Sequence, residues 1–81
     1  MEYSRALERL VELDTISKGI GGDGAVVRMH AALRIADVGD LMSRKNSTEP
    51  VADEVVRGIG YIEGLLASVE LKTREAVPAG G

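Results

Sequence analysis

The sequence predicts an all-α protein: a short N-terminal helix followed by an antiparallel two-helix hairpin, with two hairpins dimerising into a four-helix bundle. Three observations point there. Apolar residues recur at steps of three and four along most of the chain, the period of helices with one buried stripe. No segment alternates apolar and polar residues in the manner of a half-buried strand. The chain has 81 residues, no Cys, Trp or Phe and only two Tyr, so its core must be aliphatic. A chain this small buries only about 60% of its unfolded surface, and oligomerisation is a usual remedy where disulfides and thiolate zinc are unavailable. A homodimer is therefore expected.

The expected organisation is an amphipathic helix over residues 1–18, a glycine hinge at 19–24, a helical hairpin over 25–76 and a flexible tail at 77–81. In the first segment Tyr3, Ala6, Leu7, Leu10 and Leu13 share one helical face, and Glu2, Arg5, Glu8, Arg9 and Glu12 cover most of the rest. Lys18 suits the negative end of the helix dipole, and Gly19 can take a left-handed cap.

Gly19-Ile20-Gly21-Gly22-Asp23-Gly24 satisfies G-x-G-x-x-G, the dinucleotide fingerprint. That motif works where a buried strand precedes it and a βαβ crossover follows. Here the preceding segment has a helical period, so the stretch reads as an interhelical loop, with the Asp23 carboxylate placed to cap the next helix.

The second helix runs from Gly24 to about Lys45. Val27, Ala31, Ile35, Val38 and Met42 form one stripe, while Met29, Leu33 and Ala36 form another. A line of small residues, Ala25, Ala32, Ala36, Gly39 and Ser43, runs beside them. An apolar arc this wide is expected to be covered on more than one side, by the third helix and by a second subunit. The first helix is a competing candidate for the latter place. The polar stretch Ser43–Pro50 then makes a hairpin turn, with Ser47 or Thr48 as N-cap and Pro50 in the first turn of the next helix.

The third segment, Pro50 to Ala76, carries a seam of Ala52, Val55, Ile59, Ile62, Leu66, Val69 and Thr73. Asp53–Arg57 and Glu70–Arg74 have the spacing of favourable surface pairs. Gly58, Gly60 and Gly64 interrupt this helix, each costing about 1 kcal/mol relative to alanine. Close packing of Gly60 and Gly64 against Ala32, Ala36 and Gly39 is the expected compensation. Gly58 has no explanation at this level.

Function classes narrow by exclusion. A net charge of −3 with both signs mixed and no basic stripe speaks against nucleic acid. No apolar run approaches the length of a membrane span and no secretion signal is visible, so the cytoplasm is expected. His30, Arg34 and Asp37 share a face at i, i+4 and i+7, the pattern of a solvated polar surface as much as of a base with its orienting carboxylate. With no second histidine and no framed nucleophile, no catalytic residue, cofactor or metal is expected.

What is left is a non-enzymatic interaction protein of adaptor or inhibitor type that binds and modulates another protein, a class that includes small proteins phages make against host systems. Its interface would use Val56, Arg57, Gly60, Tyr61, Gly64 and Ala67, with Ala32, Ala36 and Gly39. The alternative is an oligomeric protein that binds a small ligand or nucleotide through the Gly19–Gly24 loop with Arg28, His30 or Arg34.

Overall fold

The chain folds, in a computed structural model, as three helices: α1 (Tyr3–Ile20), α2 (Ala25–Met42) and α3 (Asp53–Glu75), with one 3₁₀ turn at Gly22–Gly24. The structure describes residues 1–75, with side chains to Lys72. The expected tail at 77–81, the seam position Thr73 and the Glu70–Arg74 pair fall outside that description. Among the described residues there is no strand, and one isolated antiparallel bridge joins Glu2 to Pro50.

The three helices run up, down and up. A tight turn reverses the chain between α1 and α2, and the 43–52 connection reverses it again. The start of that third leg lies beside the start of the first. The Val51 N–H donates to the Met1 carbonyl at 2.8 Å, and the Tyr3 and Ser4 N–H groups donate to the Glu49 and Ser47 carbonyls at 3.0 and 3.1 Å. The first N–H groups of a helix have no partner within it. Here the α2–α3 connection supplies backbone acceptors for two of them, and Glu2 at the N-cap makes no side-chain cap bond.

The third helix, a second subunit and the N-terminal helix were the expected covers for α2, and the structure gives the larger intrachain share to α1. That helix has 18 residues, as many as α2, and packs more extensively on α2 than α3 does. Tyr3, Ala6, Leu10 and Leu13 on α1 are buried with Val27 and Val38 on α2 and with Val55, Ile59, Ile62 and Leu66 on α3. Val51 closes one end of this cluster. Of the two α2 stripes read from the sequence, the one through Val27, Ala31 and Val38 is buried, and its partner is chiefly α1.

The turn at the glycines explains how α1 and α2 approach so closely. α1 continues through Gly19 to Ile20, and the positive φ falls at Gly21 (88°), not at Gly19. At Gly24, a methyl group would lie 2.2 Å from the Ser17 carbonyl oxygen, so only glycine fits where the two backbones cross. Ser17 is wholly buried there, and its hydroxyl donates to the Asp14 carbonyl at 2.7 Å, which satisfies it without a partner from α2. Asp23 is exposed and makes no side-chain cap to α2, contrary to expectation.

The second turn also differs in detail. α3 begins at Asp53, with the Val55 and Val56 N–H groups donating to the Ala52 carbonyl. Ser47 and Thr48 therefore lie too early to cap it, and Pro50 precedes the helix. Asn46 organises this turn, its side-chain oxygen accepting from the Thr48 N–H and hydroxyl at 3.4 and 3.2 Å.

A half-exposed ion pair ties α1 to α3 along one flank. Both Nε and an Nη of Arg9 donate to the same Glu63 oxygen, at 2.9 and 2.7 Å, and Arg9 also pairs with Glu12. The bond to Glu63 is the main cause holding the Arg9 pKa above its ordinary value, with burial opposing it. Exposed pairs of this kind contribute roughly 0.2–1 kcal/mol, so the pair sets register more than stability.

Two substitutions test this arrangement. Leu10→Ala, at a side chain with no exposed surface, is expected to lower unfolding free energy by about 2–5 kcal/mol in urea titration, where an appended helix would give almost no change. Gly24→Ala is expected to destabilise by about 1–3 kcal/mol, because a backbone carbonyl cannot swing aside as a side chain can.

Candidate functional site

The residues singled out from the sequence separate into two surfaces. Arg57 and Tyr61 lie on the side of α3 that faces α2, where they line an open cleft of about 450 Å³ with His30, Arg34, Glu54, Gly58 and Ile62. Val56, Gly60, Gly64 and Ala67 are all exposed, and successive turns of α3 carry them away from that cleft. Ala32, Ala36 and Gly39 on α2 are exposed as well.

The expected packing of Gly60 and Gly64 against Ala32, Ala36 and Gly39 is therefore absent within the chain. A methyl group added at Gly60, Gly64 or Gly39 would meet nothing within 4 Å. The reason is geometric. α3 uses Val55, Ile59, Ile62 and Leu66 to reach the core, and helical spacing turns Gly60 and Gly64 outward from that line.

Gly58, unexplained by the sequence, has a clear environment. It is buried, and a methyl group there would lie 2.7 Å from both Nε and Cζ of Arg34. The missing side chain leaves a slot in α3 into which the guanidinium of Arg34 lies flat. Arg34 makes one long ion contact, from Nη1 to the highly exposed Glu54 at 3.8 Å, beyond hydrogen-bond distance. Across the cleft, the rings of His30 and Tyr61 meet edge to face at 5.5 Å and 75°, and Tyr61 remains 59% exposed.

The other sequence-derived constellation does not assemble as a unit. His30 and Arg34 line the cleft, while Asp37 lines a neighbouring depression with Asp40, Leu41 and Val55, which Arg34 and Glu54 also border. The expected Asp53–Arg57 ion pair is not formed, and Asp40–Arg44 is formed instead at 2.7 Å. Among the described residues no three His, Cys, Asp or Glu side chains gather to hold a metal ion. No helix there is long and apolar enough to cross a membrane. The Gly19–Gly24 loop is spent on the α1–α2 turn, with Gly24 buried against Ser17.

Outside the cleft, α2 presents a second apolar stripe opposite its core face. Val26, Met29 and Leu33 are 41%, 56% and 61% exposed, and Ala36 continues the line. Met29, Leu33 and Ala36 were legible as a stripe; that α1 and α3 together cover only the other side of α2 was not. Glu54 was also missed as part of the site, since its contact with Arg34 depends on how two helices pass one another.

Comparison with protein-family models, curated proteins and solved structures found no match. Function is consequently read from these surfaces themselves.

The open glycines give a direct test of what covers them. With no atom in the way, Gly60→Ala and Gly64→Ala are each expected to stabilise the fold by about 1 kcal/mol in dilute urea titrations, because alanine favours the helix. Destabilisation by either substitution would mean that another surface already touches the glycine face.

Proposed function

We propose that this protein is a non-enzymatic helical interaction protein that self-associates and modulates another protein by docking. The observation carrying the proposal is the uncovered stripe Val26, Met29, Leu33 and Ala36 on α2, spaced by three, four and three residues. That spacing is the one by which two helices interlock along a seam. Large side chains so placed on one exposed helix face are the pattern by which interaction surfaces are recognised.

In this reading two copies meet along α2, so that the two α2–α3 hairpins make a four-helix assembly. The α1 of each copy packs on its own α2 and α3, away from the seam. The face formed by Val56, Gly60, Gly64 and Ala67 stays open to a further protein, and Leu71, 56% exposed, extends it. Small residues there allow a partner helix to come close to the α3 backbone, which offsets the helix propensity lost at the glycines. The physiological role that follows is adaptor or inhibitor, with no catalytic step and no cofactor assigned.

Light scattering with size-exclusion chromatography tests self-association. Wild type is expected at twice the chain mass, and Leu33→Glu at the mass of one chain with its helical circular dichroism retained. A wild-type monomer at all accessible concentrations would remove the dimer. The partner-docking half is tested separately by Gly60→Leu with Gly64→Leu in affinity capture, where loss of a specific captured protein is the expected result.

A further inference from the structure

We propose that the cleft between α2 and α3 is a binding site for a small molecule that joins an oxyanion, carboxylate or phosphate, to a flat apolar body. This goes beyond docking and uses a different surface from the α2 stripe.

The first support is the unfilled hydrogen-bonding capacity of the cleft. Arg34 and Arg57 both line it, and among the described residues neither makes a hydrogen bond. A guanidinium offers five N–H donors in a planar fork that matches two oxygens of one anion. The one acidic group present, Glu54, stands 3.8 Å from Arg34 and is mostly in solvent, so it leaves that fork open. Two arginines line the cleft against the single carboxylate of Glu54, while Asp37 and Asp40 stand in the adjoining depression that Arg34 and Glu54 also line.

The second support is Gly58. A helix-interior glycine is unfavourable, and nothing in the core requires this one, since the atoms a methyl group would meet belong to Arg34. The glycine therefore serves to let Arg34 lie against α3 at the cleft wall. Preorganising one donor in this way lowers the entropy lost when an anion binds.

The third support is the shape of the rest of the site. Tyr61 presents an exposed ring, His30 meets it edge-on, and Ile62 forms an apolar floor. The volume of about 450 Å³ lies within the roughly 300–1,000 Å³ typical of small-molecule sites. A flat group can lie on the Tyr61 ring while its anionic end reaches the arginines.

The test is NMR titration of the intact protein with phenyl phosphate, benzoate and inorganic phosphate, following the Arg34 and Arg57 side-chain N–H signals and the Gly58 amide. The expected result is saturable shifts with phenyl phosphate or benzoate, stronger than with inorganic phosphate; the tighter of the two aromatic probes identifies the oxyanion. Arg34→Gln is expected to weaken binding by about tenfold or more, since it removes a charged hydrogen-bonding partner. Glu54→Gln is expected to strengthen it by removing the competing carboxylate.

Gly58→Ala separates a binding role from a packing role. Arg34 is flexible and can swing out, so the variant is expected to fold with unchanged or higher thermal stability and to lose most of its affinity. Absence of saturable shifts in the wild type, or wild-type affinity in both Arg34→Gln and Gly58→Ala, would overturn the proposal.

Discussion

The structure depends on burying the Leu10–Leu13 face of α1 between two other helices. Neither α2 nor α3 carries an aromatic residue into the core, and their inward positions are mostly Val, Ile and Ala. Such a pair alone would bury little surface for the entropy of ordering two helices. The α1 stripe supplies Tyr3, Leu10 and Leu13, among the larger side chains in the core. It can do so because the chain reverses within a few residues at Gly21–Gly24 and because the 43–52 connection closes back on the start of α1 through three backbone hydrogen bonds. Both ends of α1 are thereby fixed to α2 and α3.

Glycine is used in three physically different ways along the chain. Gly24 permits one backbone to touch another, where any side chain would strike a carbonyl. Gly58 permits a side chain to lie against a backbone, and its neighbour can move if displaced. At Gly60 and Gly64 an added methyl group would meet nothing among the described residues, so no packing there offsets their cost to the helix. The same logic applies to Val26, Met29 and Leu33, whose exposure is unrecovered within one chain. Core and outer faces together describe a small bundle that satisfies its interior with all three helices and leaves two faces and one cleft available.

Much of this was legible in the sequence, and the exceptions have physical reasons. The helical class, the buried stripes at Leu10, Leu13, Val27, Val38, Ile59 and Ile62, and the separate Met29–Leu33 stripe follow from period alone, because period reports which residues share a face. Period does not report which helix covers that face. The choice between α1 and a second subunit as a cover for α2 stayed open because amphipathicity looks the same on a surface helix and on a helix that completes a core. The pairing of Gly60 and Gly64 with Ala32, Ala36 and Gly39 was inferred from complementary sizes. Complementary size says nothing about rotation, and both lines turn outward. The cleft escaped for a related reason: His30 and Arg34 stood out on α2 and Tyr61 on α3, but only the crossing of the helices brings them opposite one another. Gly58 would have been interpretable only with Arg34 already in place.

The claim most exposed to refutation is that α1 sits between α2 and α3 as the shared face of one core. Methyl NOE spectroscopy on selectively labelled protein reads this directly. Cross-peaks are predicted from the Leu10 and Leu13 methyls to those of Val27 or Val38 on one side and Ile59 or Ile62 on the other. Leucine methyls of α1 that show contacts only within their own helix, while Val27 and Val38 still contact Ile59 and Ile62, would contradict the account.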